Sequence, residues 1–134
     1  MRPFIIAVDF DGTIVEHQFP EIGPPVPGAL ETLRECAARG AKLILWTMRS
    51  DGRAEKDGAV LAPAVAYLRA NGVELFGVNQ NPETDWSSSP KAYAHVYVDD
   101  AALGCPLIPS TTTKRPMVDW SKVRPALLEM MGAR

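Results

Sequence analysis

The chain holds only two cysteines, Cys36 and Cys105, and they do not stand at metal-ligand spacing. Cys36 falls within a helical pattern and Cys105 in a loop before Pro106, so both read as inert thiols rather than a disulfide, and a reducing cytoplasm suits them. Charge of either sign is scarce in excess: the formal net charge is -2, which leaves no basic footprint for nucleic acid. No apolar run approaches the length of a membrane span, and Met1-Arg2-Pro3 leads directly into a short strand rather than a signal peptide. Neither an internal repeat nor a coiled-coil heptad is visible. What remains is an ordinary globular composition, 46% hydrophobic and 22% charged, long enough at 134 residues for one domain spanning residues 1–134 with a single core.

Against that plain background one segment stands out. An apolar strand, Phe4-Ile5-Ile6-Ala7-Val8, runs into Asp9-Phe10-Asp11-Gly12-Thr13. Two carboxylates one residue apart repel and raise one another's pKa unless a cation or hydrogen bonds compensate. A divalent metal would make chemical sense of them, with one carboxylate as nucleophile and the other as proton carrier. The plainer alternative is an Asp-Gly turn after a strand.

Val15 to Pro27 carries Pro20, Pro24, Pro25 and Pro27 and cannot be a regular helix; its length predicts a flap over the strand ends. From Gly28 a helical period sets Ala29, Leu30, Leu33, Cys36 and Ala37 on one face, with Gly40 as its stop. Lys42 to Trp46 reads as a buried strand, followed by a polar loop over 51–58. A second helix is expected with Leu61, Val65, Tyr67 and Leu68 apolar and a stop at Asn71-Gly72. Strands are expected at Glu74–Val78 and Ala94–Val98, separated by an Asn-, Pro- and Ser-rich loop. The tail from about 105 to 134 is proline-punctuated, with a surface loop at Thr111–Arg115 and a short helix over Val123–Met131.

Strand-helix alternation with near-continuous apolar strands argues for an α/β fold, a parallel sheet covered by helices on both faces. Ligands of such sheets bind outside the carboxyl ends of the strands. The unusual polar residues fall at those ends: Asp9 and Asp11, Thr47, and Asp99 with Asp100. A phosphoryl group needs an attacking atom, charge neutralisation and a proton for what leaves. Asp9 can attack, Asp11 can carry the proton, and Asp100 with Asp99 can add oxygens for Mg²⁺. Thr47, with the backbone N–H of Met48 beside it, can meet non-bridging oxygens, and Lys91 offers a point charge. Each has a duller account: a cap for Thr47, a solvated lysine for Lys91, a turn for Asp99-Asp100.

Taken together the chain resembles the haloacid dehalogenase-like hydrolase superfamily. Asp9-Phe10-Asp11-Gly12-Thr13 matches that family's first motif, Thr47 after an apolar strand its second, Lys91 its third, and Val98-Asp99-Asp100 its fourth. The resemblance spans roughly residues 4 to 108. It implies a Rossmann-like three-layer sandwich and a Mg²⁺ held by the Asp9 carboxylate, the Asp11 carbonyl and the Asp100 carboxylate, with Asp99 acting through water or by orienting the site. The second Asp of the first motif, here Asp11, belongs to the family's phosphatases rather than its dehalogenases. Neither gap between motifs has room for a sizeable cap domain, so the likeness is to small, capless members. Their open sites admit bulky phosphorylated substrates or are covered by a second subunit.

His17, Arg49 and Arg53 are the candidate substrate contacts, His17 from the flap beside Glu16 and the arginines as holders of a second anionic group. For His17 the plainer account is an exposed loop histidine without a role. The leading expectation is a Mg²⁺-dependent phosphomonoester hydrolase working through phospho-Asp9. The alternatives are a receiver-like phospho-accepting signalling module, disfavoured by chain order, and a non-catalytic interaction protein on the same fold.

Overall fold

The computed structural model describes residues 2–52 and 58–132. Arg53 and most of the polar 51–58 loop lie outside the described residues. Two strand-helix units and two further strands lead the chain: β1 (Ile5–Val8), α1 (Ala29–Ala38), β2 (Lys42–Leu45), α2 (Leu61–Ala70), β3 (Gly77–Val78) and β4 (Val96–Val98). These strands form one parallel sheet in the order β3-β2-β1-β4. The tail adds an antiparallel pair, β5 (Leu107–Ile108) and β6 (Met117–Val118), and then α3 (Trp120–Gly132).

The topology follows from handedness. Steps from β1 to β2 to β3 move one way across the sheet, so right-handed crossovers put α1 and α2 on the same face. There Ile6, Val8, Leu43 and Leu45 join Leu33, Leu68, Trp120 and Leu127 in the main core. Each such side chain, fully buried, stabilises the fold by roughly 1.5–3 kcal/mol. α1 lies between its neighbours: Arg34 Nη1 donates to Asn71 O at 2.8 Å at the end of α2, and Arg124 of α3 pairs with Glu35 at 2.7 Å. Both α1 and α2 close with the same turn, in which Ala41 N–H bonds Cys36 O and Val73 N–H bonds Leu68 O.

β4 sits on the far side of β1, so the return from β3 crosses the opposite face, where Ile5, Ala7 and Ile44 pack with Trp46, Phe76, Ala94 and Tyr97. The sandwich therefore has three layers, and the third is irregular chain over 79–95, as the expected Asn-, Pro- and Ser-rich loop implies, so that helices do not cover both faces of the sheet. Pro82, Pro90 and the serine run between them offer neither a helical period nor the N–H groups a helix needs.

β3 and β4 are shorter than their apolar runs suggested. The β5–β6 ribbon was not foreseen, because two-residue strands carry no period. α3 begins three residues before the expected Val123, since Asp119 caps it through Ser121 N–H at 3.1 Å and Trp120 is buried.

Candidate active site

The chain order reverses between β1 and β4, which makes their carboxyl ends the natural crevice of this sheet. Val8 registers with Val98 on one side and Leu45 on the other. The next residues therefore meet: Asp9 N–H donates to Val98 O at 2.9 Å and Trp46 N–H to Val8 O at 2.8 Å. Asp9 is thus set between Asp99 and the Trp46-Thr47 turn by strand pairing alone.

Asp9, Asp99 and Asp100 each offer a carboxylate oxygen, and the three atoms lie within 4.8 Å of one another. Thr13, fully buried, ties the group together: its hydroxyl donates to Asp9 Oδ2 at 3.2 Å and accepts from Asp100 N–H at 3.2 Å. The electrostatics are adverse without a cation. Burial, then the charge of Asp99 and the proximity of Asp100, push the Asp9 carboxyl up to about 8. Burial and the Asp100 neighbour also raise Asp99, against the Ala101 N–H that favours its ionised form. Gly12 keeps the turn beneath them tight at φ 80°; a Cβ there would collide with the His17 ring and the Asp100 carboxylate.

Asp11 reaches the same cleft, but its carboxylate turns away from the other three. Arg49 holds it bidentately, Nε to Oδ2 at 2.8 Å and Nη2 to Oδ1 at 2.9 Å. The remaining Arg49 donors go to Pro20 O, Glu21 O and Val60 O, so all five are used. Its guanidinium lies 5.0 Å from the Phe10 ring centroid and 5.1 Å from that of Phe19. Arg49 is only 2% exposed and has no donor left for a substrate, which corrects its expected role. It is a staple joining the Asp11 turn, the flap and the start of α2.

His17 is likewise not a bystander: Nε2 lies 2.8 Å from Asp100 Oδ2, and its side chain is 11% exposed. Glu16, beside it on the flap, points elsewhere. Its carboxylate accepts from the Ser110 hydroxyl, from Thr111 N–H at 2.9 Å and from Thr112 N–H at 3.2 Å. The Thr111–Arg115 loop is therefore anchored rather than loose. Burial alone would raise the Glu16 carboxyl, but the Ser110 and Thr111 bonds outweigh it and hold it below its ordinary value. The stabilisation is present above pH 4.5, the ordinary value, and fades as pH falls through the lower folded one. Glu16→Ala should cost about 1–3 kcal/mol in urea unfolding and speed proteolytic cutting near residue 112, because it strands several donors.

On the opposite wall Thr47 N–H donates to Asn79 Oδ1 at 2.8 Å, and Thr47 Oγ1 accepts from Arg49 N–H at 3.1 Å. Asn79, with φ 54°, was not foreseen; it fixes the turn from the end of β3. Among the described residues no acceptor meets the Met48 N–H, and Met48 is 95% exposed. The cleft has two lobes, about 340 Å³ and about 410 Å³, that share Asp9, Thr47, Met48 and Asp99. His17, Phe19, Asp100 and Arg115 line the larger lobe. Lys91 lines neither: it stands on the 79–95 segment with Nζ 5.4 Å from the Tyr97 ring centroid. The expected meeting of Asp9, Asp11, Thr47, Met48, Asp99 and Asp100 is found; that of Lys91 with them is not.

Fold and site define a capless α/β domain with an acidic cleft at the carboxyl edge of its sheet. No protein-family model matches the chain, and no curated protein matches it. A solved structure of a conserved protein from Bacteroides thetaiotaomicron is similar to it, with 34% sequence identity and a TM-score of 0.75 over 96% of this chain and 93% of that one. This chain belongs to that protein's family. Among the described residues no helix is long and apolar enough to cross a membrane.

Proposed function

We propose that the chain is a Mg²⁺-dependent phosphomonoester hydrolase that carries the phosphoryl group on Asp9. The observation behind this reading is the grouping of Asp9, Asp99 and Asp100 oxygens within 4.8 Å, on the floor of a cleft whose other wall is Thr47 and Met48. Three hard oxygen donors suit Mg²⁺ better than a soft metal. Bound there, the cation would neutralise charge between Asp9 and a phosphate dianion.

The chain's own residues supply the rest. An Asp9 carboxylate oxygen attacks phosphorus, forming an Asp9–phosphorus bond through that oxygen as the ester oxygen departs. Asp11, two residues along the same turn, is the proton carrier: holding a proton on one oxygen, it gives up one of its two Arg49 bonds and passes that proton to the departing oxygen. Water, giving a proton back to Asp11, then attacks phosphorus and breaks its bond to Asp9, which leaves inorganic phosphate and the free Asp9 carboxylate. Thr47 Oγ1 and the Met48 N–H face the transferring group. The order of motifs, similar to that of capless haloacid dehalogenase-like phosphatases, supports the same reading, and two free cysteines accord with work in the cytoplasm.

The test is hydrolysis of a broad panel of phosphomonoesters with and without Mg²⁺. Turnover that a chelator abolishes and Mg²⁺ restores is expected. A protein that binds no Mg²⁺ by calorimetry and hydrolyses nothing would revive the interaction-protein alternative.

A further inference from the structure

We infer that Arg115, on the β5–β6 ribbon, is the cation that holds the substrate's phosphoryl group, in the place where sequence resemblance puts Lys91. The inference rests on the hydrolase reading and adds a binding residue to it. A phosphate dianion entering a cleft floored by Asp9, Asp99 and Asp100 meets repulsion that calls for positive charge on the protein side. Among the described residues three cations come into question. Arg49 lines the larger lobe, but every donor it has is committed to Asp11, Pro20, Glu21 and Val60. Lys91 is an exposed residue over the Tyr97 ring and borders neither lobe.

Arg115 borders the larger lobe together with Asp9, and among the described residues its guanidinium makes neither a hydrogen bond nor an ion pair. Its position is built rather than accidental. The loop carrying it is clamped at Ser110–Thr112 by the buried Glu16 carboxylate, on the chain just after the Asp9–Thr13 turn. At the other end Val118 N–H donates to Gly12 O at 3.0 Å. One anchor of the loop is thus on the turn that carries the nucleophile and the other just after it, so the loop backbone that carries Arg115 is held beside that turn. A planar fork with free donors at that position suits the non-bridging oxygens of a phosphoryl group.

Arg115→Gln and Lys91→Gln separate the two assignments. Both side chains are exposed, so both variants should fold, as circular dichroism and Mg²⁺ binding can verify. Arg115→Gln should lower kcat/KM on the best monoester roughly 10²-fold, as loss of one transition-state donor does, and Arg115→Lys should recover part of it. It should also weaken binding of inorganic phosphate in the presence of Mg²⁺, whereas Lys91→Gln should change both by less than about twofold. A large loss in Lys91→Gln, or none in Arg115→Gln, overturns the inference while leaving a hydrolase intact. Arg115-dependent phosphate binding by a protein that cleaves no monoester overturns the hydrolase reading and leaves the anion site standing. Neither binding nor hydrolysis overturns both.

Discussion

Asp9→Asn is expected to abolish turnover of an aryl phosphate, by roughly 10⁴-fold or more, while leaving the fold intact. The amide has nearly the shape of the carboxylate and keeps an oxygen for the Thr13 hydroxyl, but it is no nucleophile towards phosphorus. The same substitution should change the pH dependence of the metal-free protein. Burial and the neighbouring Asp99 push the Asp9 carboxyl up to about 8 from an ordinary 3.8. A group with a raised folded pKa contributes stability that is complete below the ordinary value and is lost as pH rises through the folded one. Metal-free protein should therefore lose thermal stability between about pH 4 and pH 8. Asp9→Asn should flatten that slope, and Mg²⁺ should remove it in the unsubstituted protein. A variant that retained turnover would end the nucleophile assignment, and an unchanged slope would end the account of the carboxylate cluster.

Arg49→Met should destabilise the protein by about 3–5 kcal/mol in urea unfolding, the loss that follows when one partner of a buried ion pair is removed. Asp11 would keep its place without either of its two donors, and three backbone carbonyls would lose theirs as well. Arg49→Lys should recover little, because an ammonium offers three donors from one point and cannot span Asp11, Pro20, Glu21 and Val60. Since the flap hangs on the same side chain, both variants should also lower kcat on any substrate the protein turns over. A cost below about 1 kcal/mol would place Arg49 with ordinary surface pairs and contradict the staple.

Much of the site was legible because strand ends are legible. Asp9 and Asp99 each follow an apolar run, and a parallel sheet that places those runs side by side must bring the carboxylates together. What escaped the sequence has physical reasons too. Arg49 reads as a substrate arginine by type and position; only the folded flap, which presents Pro20 O and Glu21 O, reveals that its donors are spent. His17 looks like a loop histidine until the Gly12 turn brings it to Asp100. Lys91 fits a motif, yet the irregular 79–95 crossover sets it over Tyr97 instead of in the cleft. Arg115 carries no sequence signal, because the Glu16 clamp that positions it joins residues 95 apart along the chain.

Crystals grown with Mn²⁺ in place of Mg²⁺ offer the most direct measurement. The account predicts one anomalous peak about 2.1 Å from carboxylate oxygens of Asp9 and Asp100, in the cleft that also holds Thr47. Its contradiction would be a map with no peak there, or an ion seated elsewhere with Asp9 left out of its coordination.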